Sequence, residues 1–202
     1  MKVAIFSGGP FENVKIEDYT LLICADKGYL YARNLGLSPS FVLGDFDSLG
    51  FVPDGAEVFP KEKDLSDLEL AIDKAISLNA SEIDGYFCTG GRIDHELFNI
   101  SLLKKCKDRG VKARLINSTQ VVELISSADN FTPIKCKDGG FVSVLPYSSE
   151  VSFIGSSGLK YPLDNLTAKK GETLTLSNEA TGSSLIIEIK SGEALLITER
   201  GE

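Results

Sequence analysis

Short apolar runs in the first half of the chain alternate with stretches of helical periodicity, and this alternation restricts the fold more than any other feature. The runs end in polar or glycine-containing turns, and they occupy residues 3–6, 21–24, 41–43, 57–59 and 86–88. Continuous apolar strands separated by helices are typical of a parallel sheet covered on both faces. We therefore expect an α/β domain with a mostly parallel sheet and helices on both faces.

Helices are indicated most clearly at two places in this half. Ser66 and Glu69 have the spacing of an N-terminal capping pair, and apolar residues then recur at helical spacing, which predicts a helix to about Asn79. A second helix is predicted from Asp94 or His95 to Gly110, because basic residues fill its last turns, where they interact favourably with the helix dipole.

The organisation changes after about Asn117, where helical periodicity gives way to short alternating runs. Strands are predicted at residues 121–125, 140–145, 151–154, 173–176, 184–189 and 194–198, separated by turns rich in glycine and serine. This spacing indicates a β-sandwich or small barrel. The expected organisation is an α/β domain over residues 1–120 and an all-β sandwich domain over residues 121–202, with the junction inside 117–133.

Composition excludes several classes of function. The net charge of −8 argues against a nucleic-acid partner, since phosphates recruit lysine and arginine. No apolar run approaches the roughly 20 residues that span a bilayer, and the apolar start is too short for the core of a signal peptide. The cysteines are widely spaced and lack a C-x-x-C pair, which favours free thiols and a cytoplasmic location.

Two carboxylates come after the third apolar run, in the segment Gly44-Asp45-Phe46-Asp47-Ser48. Residues two apart share a side of an extended chain, so Asp45 and Asp47 would lie together if the extended geometry continues through Phe46. Two like charges at that spacing need a cation, an arginine or a shared proton. The alternative is an acidic turn in which Ser48 caps the next element of the chain.

Further charged residues collect where other predicted strands end, and parallel strands bring these ends to one edge of a sheet. They are Asp26, Asp64, Asp67, Arg92, Asp94 and His95. Carboxylates completed by water and substrate phosphates are the usual ligands of Mg²⁺. Glycines 90 and 91 suit an anion bound to backbone amides, and Arg92 suits a phosphate.

Three members of this set also have a structural interpretation. Asp67 would favour the positive end of its helix, Asp94 would serve as an N-cap, and His95 would be a structural helix-start histidine. Taken together, the residues indicate an Mg²⁺-dependent enzyme that acts on a phosphorylated nucleotide or sugar.

The ordered motifs also resemble those of a known family. Gly44-Asp45-Phe46-Asp47-Ser48, Lys63-Asp64-Leu65-Ser66-Asp67, Gly90-Gly91-Arg92-Ile93-Asp94-His95 with Asn99, Gly158-Leu159-Lys160-Tyr161-Pro162-Leu163 and Ser177-Asn178-Glu179 occur in the order found in thiamin pyrophosphokinases. The resemblance covers both halves of the chain. It implies an α/β nucleotide-binding domain and a C-terminal β-sandwich, a homodimer, and transfer of pyrophosphate from ATP to the hydroxyl of thiamin with Mg²⁺, releasing AMP.

The resemblance also implies roles by position. The catalytic and metal-binding carboxylates would be Asp45, Asp47, Asp64 and Asp67, and the ligand-binding residues would be Asp26, Arg92, Asp94, His95, Ser177 and Asn178. Residues 1–120 would bind ATP and Mg²⁺, and residues 121–202 would bind thiamin and form the dimer. The chain departs from the family where Ser66 and Leu176 replace threonines, and it contains no tryptophan to stack on thiamin.

Two alternatives to a kinase remain. Asp45-Phe46-Asp47 is also a D-x-D, a pattern that in some glycosyltransferases holds Mn²⁺ and a nucleotide-sugar, but that interpretation leaves the segments at 92–95 and 177–178 unexplained. A non-catalytic sensor of thiamin or nucleotide is the other, and the intact acidic set argues against it. In the kinase, one carboxylate would accept the hydroxyl proton, and sequence does not select which.

Overall fold

The computed structural model describes residues 1–201 and separates the chain into two compact units. The first spans Met1–Ser118 and the second begins at Thr119. None of the helices among the described residues has the length and apolarity needed to span a bilayer.

The first unit contains a parallel sheet whose strands include most of the predicted apolar runs, although the run at residues 86–88 lies at the end of a strand and not within it. Its strands are β1 (Lys2–Phe6), β2 (Leu21–Ala25), β3 (Phe41–Gly44), β4 (Glu57–Val58), β5 (Glu82–Tyr86) and β6 (Lys112–Ile116). They are hydrogen-bonded in the order β6-β5-β1-β2-β3-β4, with every neighbouring pair parallel. Most residues of β1, β2 and β5 are buried, as expected for strands covered on both faces. The predicted α/β class is confirmed.

The helices of this unit are α1 (Gly28–Asn34), α2 (Asp67–Ser77) and α3 (Ile93–Asp108). The Ser66 hydroxyl accepts a hydrogen bond from the Glu69 N–H at 3.2 Å, so the predicted N-cap of α2 forms. The Glu69 carboxylate accepts from Lys105 of α3 instead of returning to the cap. Arg92 is the N-cap residue of α3, which places Asp94 inside the first turn. The interpretation of Asp94 as an N-cap is therefore wrong.

The strand order determines where a ligand can bind. The chain runs outward from β1 through β2, β3 and β4, and then β5 and β6 form on the other side of β1. In open parallel sheets the crevice for a ligand lies beyond the carboxyl ends of the strands where this reversal occurs. In this unit that position is the carboxyl edge of β1 and β5.

The second unit packs two antiparallel layers against each other. One layer contains β12 (Asn178–Glu179), β9 (Phe141–Pro146), β14 (Glu193–Glu199) and β7 (Gln120–Ser126), in that order. The other contains β11 (Thr167–Lys169), β10 (Glu150–Ser157), β13 (Ser184–Ser191) and β8 (Ile134–Lys135). Alternate side chains of both layers form one buried core, which includes Val142, Leu196, Phe153 and Ile187. This is the predicted β-sandwich.

One predicted strand of this unit is wrong. Residues 173–176 form a turn, in which the Leu176 N–H donates to the Thr173 carbonyl at 3.1 Å. The Thr175 hydroxyl donates to the Val144 carbonyl, so the threonine is buried while Leu174 and Leu176 are exposed. The alternating apolar and polar residues that predicted a strand therefore belong to a turn, and Thr175 attaches this turn to β9.

Asp84 provides a test of the packing in the parallel sheet. The residue is 2% exposed, accepts two hydrogen bonds of 2.8 Å from Arg114, and lies 2.9 Å from Lys2 Nζ. Asp84→Ala leaves both cations without this partner, and we expect a loss of about 3–5 kcal/mol in the free energy of unfolding, measured with urea. Asp108→Ala, which removes an exposed partner of Lys104, should cost less than about 1 kcal/mol. Equal losses for the two variants would contradict a buried charge network.

Candidate active site

An open cleft of about 560 Å³ lies in the first unit at the carboxyl edge of the parallel sheet. The residues that line it come from the loops after β1, β2 and β5 and from the starts of α2 and α3. They include Ser7, Gly8, Gly9, Asp26, Lys63, Ser66, Asp67, Thr89, Gly91, Arg92, His95 and Asn99. The cleft is therefore at the reversal of strand order.

Gly9 lines the cleft at a position that has no room for a side chain. Its N–H donates to the Phe87 carbonyl at 2.9 Å, and a Cβ at this position would lie 2.3 Å from that oxygen. The loops after β1 and β5 are thus in backbone contact, and a side chain would separate them.

The loop after β3 does not keep the extended geometry that would place Asp45 and Asp47 side by side. β3 ends at Gly44, and Phe46 has a φ of +58° with its ring buried. Because the backbone at Phe46 is left-handed and its ring is buried, the carboxylates of Asp45 and Asp47 face different partners. The expectation of an extended chain through Phe46 is wrong, although the Asp47 N–H donates to Asp45 Oδ1 at 3.2 Å.

Lys63 is the central cation of the site. Its Nζ lies 3.1 Å from Asp45 Oδ2 and 3.1 Å from Asp67 Oδ1. Burial raises the pKa of the Asp67 carboxyl, and the charges of Asp45 and Asp26 raise it further, while Lys63 opposes the increase. Burial also acts to raise the pKa of Asp45, but hydrogen bonds from the Asp47 backbone and from Lys63 leave that pKa below its usual value.

Asp26 adds a third carboxylate to the cleft. The Ser48 hydroxyl donates to Asp26 Oδ2 at 2.5 Å. Asp26 Oδ1 is buried and has no hydrogen-bond partner among the described residues, whereas the buried Asp67 Oδ1 has the Lys63 ammonium at 3.1 Å. Buried acceptors of this kind usually have a donor or a cation as partner.

The carboxylate oxygens of Asp45 and Asp67, which share Lys63, fit Mg²⁺ as one part of its coordination shell. Within residues 1–201, no three Asp, Glu, His or Cys side chains converge closely enough to hold a metal ion by themselves. Mg²⁺ commonly takes one or two carboxylates and completes its shell with water and substrate phosphates. The acceptors around Lys63 meet that requirement.

Asp47 and Asp64 lie outside the cleft lining. Asp47 pairs with Lys61, whose Nζ lies 2.6 Å from Asp47 Oδ2, and both side chains are largely exposed. Asp64 is exposed as well. Asp26 and Asp67 line the cleft, whereas Asp45 and Asp94 do not and Asp45 is joined to the site through Lys63.

The start of α3 carries the predicted anion-binding residues. Arg92 donates two hydrogen bonds to Asp94, of 3.1 and 2.5 Å, and Asp94 Oδ1 accepts from the His95 N–H at 2.9 Å. The Arg92 bonds are the main reason that the pKa of Asp94 falls to about 2. Arg92 and His95 line the cleft. The Gly90 N–H donates to Glu96 Oε2 at 3.1 Å, so a carboxylate of this chain accepts the bond predicted for an anion.

Ser177 and Asn178 belong to the second unit and sit beside another motif. Asn178 is buried, accepts from the Tyr161 N–H at 3.1 Å and donates to the Tyr161 carbonyl at 2.6 Å. Ser177 has a φ of +56°, and its N–H donates to the Ser143 hydroxyl at 3.0 Å. The amide of Asn178 thus fixes the backbone of Tyr161, which is 62% exposed.

The sequence indicated no role for several residues of the site. Lys63 was part of a motif without a function, although its position four residues before Asp67 favours an ion pair within one turn. No sequence pattern indicated Tyr31, because its partner Gly9 is distant in sequence. None indicated Glu96 either, because its bond with the Gly90 N–H depends on the geometry of the loop.

Two family models match this chain. The thiamin pyrophosphokinase catalytic domain matches residues 13–115, and the thiamin pyrophosphokinase vitamin B1 binding domain matches residues 132–196. The first lies within the unit that contains the cleft, and the second lies within the β-sandwich unit.

Known proteins are similar over the whole chain. Thiamine pyrophosphokinase of Bacillus subtilis is 30% identical over 208 residues, which cover 96% of this chain and 97% of that protein. The crystal structure of the B. subtilis enzyme superposes with a TM-score of 0.87 at 29% identity and full coverage of both chains. Thiamin pyrophosphokinase of Geobacillus thermodenitrificans gives 0.84 at 29% identity, covering 100% of this chain and 99% of that one.

The central position of Lys63 can be tested by titration. Its charge favours the ionised forms of Asp45 and Asp67, so Lys63→Gln should raise the pKa of both carboxyls, measured by NMR of the side-chain carboxyl carbons. Lys61→Gln is the matched control, because Lys61 pairs with the exposed Asp47. If the Asp67 titration is the same in both variants, Lys63 does not control the charge of the site.

Proposed function

The chain belongs to the thiamin pyrophosphokinase family, and from this premise we propose how its residues bind the substrates and Mg²⁺. It is a transferase that makes thiamin diphosphate, with a nucleotide as co-substrate. The family models span both units, which excludes the glycosyltransferase interpretation of Asp45-Phe46-Asp47.

We infer that the two units divide the substrates. The first unit takes ATP and Mg²⁺, because it holds the cleft at the reversal of strand order together with Asp26, Asp45 and Asp67. The second unit takes thiamin, because the vitamin B1 binding match and the exposed Tyr161 lie there. The sequence places the boundary between the ATP-binding domain and the thiamin-binding domain at residues 120 and 121, and we propose this boundary as well.

Asp45 and Asp67 are the proposed ligands of Mg²⁺, and the observation that carries this is their shared cation, Lys63. When bound, Mg²⁺ would neutralise phosphate charge and align the reacting groups. Lys63 is then free to turn to a phosphate oxygen. Asp47 and Asp64 are proposed to accept hydrogen bonds from metal-bound water through their exposed carboxylates.

The proposed reaction is attack by the hydroxyl oxygen of thiamin on the β-phosphorus of ATP. A new oxygen–phosphorus bond forms, the bond from the β-phosphorus to the bridging oxygen breaks, and AMP leaves with that oxygen. The hydroxyl proton passes to a carboxylate of the cleft, and Asp26 is suited to accept it because its buried Oδ1 has no hydrogen-bond partner among the described residues.

The start of α3 is proposed to bind the phosphates. Arg92 is 74% exposed at its side chain and can exchange Asp94 for a phosphate, to which it presents the same two donors. His95 lies in the cleft lining beside it. Displacement of Glu96 would release the Gly90 N–H for the same anion.

Tyr161 is proposed to be the aromatic side chain that packs on thiamin. Its side chain is exposed, and both its backbone N–H and its carbonyl are hydrogen-bonded to the amide of Asn178. Ser177 lies in the adjoining turn. Asn178 therefore acts as a positioning residue in this proposal. We further propose that the protein is a cytoplasmic homodimer, on the basis of the family and of free cysteines in the described chain.

The metal proposal predicts the effect of Asp45→Asn. Wild-type protein with ATP, Mg²⁺ and thiamin should release AMP and thiamin diphosphate. Removing the charge of Asp45 should lower kcat at least about 100-fold, since transition-state electrostatics carry most of this chemistry. Nucleotide products are separated by chromatography. Asp54→Asn, an exposed control in the same unit, should keep its rate. Normal turnover by Asp45→Asn would remove Asp45 from the metal site.

The thiamin proposal predicts a separate effect for Tyr161→Ala. Loss of the ring should raise KM for thiamin roughly tenfold and leave KM for ATP unchanged, since an aromatic contact of this kind is worth about 1 kcal/mol or more. Phe131→Ala removes another exposed ring of the second unit and serves as the control. An unchanged KM for thiamin in Tyr161→Ala would show that thiamin packs elsewhere.

A further inference from the structure

Phe11 is an aromatic side chain at the margin of the cleft that has no part in the proposed binding of phosphates, Mg²⁺ or thiamin. It follows Pro10, which lines the cleft, and it is 48% exposed. Isolated exposed apolar side chains are common on protein surfaces, so exposure alone assigns no function. Phe11 differs from such side chains in the way its ring is held.

The ring of Phe11 is fixed by two other aromatic side chains. It stacks on Phe87 with the ring centroids 5.5 Å apart and the planes at 18°, and it contacts Tyr31 at 5.2 Å. Phe87 is fully buried, and the Tyr31 hydroxyl donates to the Gly9 carbonyl at 2.7 Å. Phe11 is thus the most exposed of three packed rings, and the other two residues are both hydrogen-bonded to Gly9 in the cleft lining.

The segment that carries Phe11 is anchored although it has no helix or strand between residues 10 and 19. Glu12 Oε2 accepts from the Ser118 N–H at 2.9 Å, and the Glu17 N–H donates to the Tyr86 hydroxyl at 2.9 Å. Val14 is buried between these two contacts. The ring is therefore preorganised, which lowers the entropy lost when a ligand packs on it.

The position of the ring matches the geometry of a nucleotide. Phe11 comes two residues after Gly9, and Pro10 lies beside the other glycine loop, because a Cβ on Gly91 would lie 3.4 Å from Pro10 Cδ. A ribose separates the base of a nucleotide from its phosphates. A base whose phosphates lie against these loops must therefore rest beside them, on a surface such as the exposed part of Phe11.

We propose that Phe11 is the platform on which the adenine ring of ATP stacks. The proposal rests on the proposed function, because it requires the phosphates of ATP in the cleft. A planar heteroaromatic ring stacks favourably on an aromatic side chain. Thiamin is the competing heteroaromatic ligand, but the vitamin B1 binding match covers residues 132–196 and does not include Phe11.

Fluorescence tests this stacking directly, because the chain contains no tryptophan. In Phe11→Trp the new indole should be quenched by AMP and by ATP, which carry adenine, and unaffected by inorganic tripolyphosphate. Phe51→Trp is the matched control, since Phe51 is 45% exposed in the same unit and contacts Tyr29 by its edge. Its emission should respond to none of these compounds.

Kinetics supply a second, independent measurement. Phe11→Ala should raise KM for ATP roughly tenfold, with kcat and KM for thiamin unchanged, and Phe11→Tyr should restore the wild-type KM. Circular dichroism establishes that each variant is folded. Equal quenching of Phe11→Trp by tripolyphosphate, quenching by thiamin instead of AMP, or an unchanged KM for ATP in Phe11→Ala would each overturn the proposal.

The two proposals fail in different ways. If wild-type protein makes AMP and thiamin diphosphate while Phe11→Trp is not quenched by AMP, adenine binds elsewhere and the proposed function stands. If AMP quenches Phe11→Trp but wild-type protein gives no turnover, the adenine platform is supported and the proposed function fails.

Discussion

The ammonium group of Lys63, at 3.1 Å from both Asp45 and Asp67, is the interaction on which the rest of the site depends. Without a cation, the charges of Asp26, Asp45 and Asp67 would repel one another at the edge of the sheet. Lys63 lets them coexist in the metal-free protein, while one buried oxygen of Asp26 has no hydrogen-bond partner within the described chain. This arrangement is the basis for proposing that a divalent cation binds here together with phosphate oxygens.

The parallel sheet explains why these groups meet. β1 lies between β2 and β5, so the loops after these strands converge at the reversal of strand order. Because Gly9 has no side chain, the loops after β1 and β5 can form a backbone contact. The buried carboxylate of Asp84 pairs with the half-buried cations of Arg114 and Lys2, and these pairs join β1, β5 and β6 within the same sheet. The scaffold is therefore rigid where the proposed chemistry needs fixed positions.

Sequence predicted the parts of this structure that depend on local or periodic signals. The apolar runs located β1, β2 and β3, and Ser66 marked the start of α2 because its cap is a local hydrogen bond. The run at residues 86–88 overlaps β5 only at Tyr86, because the chain leaves the strand at Phe87 with a left-handed backbone. The left-handed turn at Phe46 was missed because it depends on burial of that ring in a tertiary core. The turn at residues 173–176 was missed because its central threonine is held by a distant strand. The sequence predicted the carboxylates around Lys63 as site residues. It did not predict which of them face Lys63, because that depends on the turn at Phe46.

Diffraction from crystals grown with Mn²⁺ and a non-hydrolysable ATP analogue would test the central claim most directly, since the anomalous signal of Mn²⁺ locates the ion without reference to activity. We expect a peak coordinated by Asp45 and Asp67, with the ammonium of Lys63 moved onto a phosphate oxygen. A peak held by the nucleotide alone, with Lys63 still between the two carboxylates, would contradict the assignment of these carboxylates to the metal.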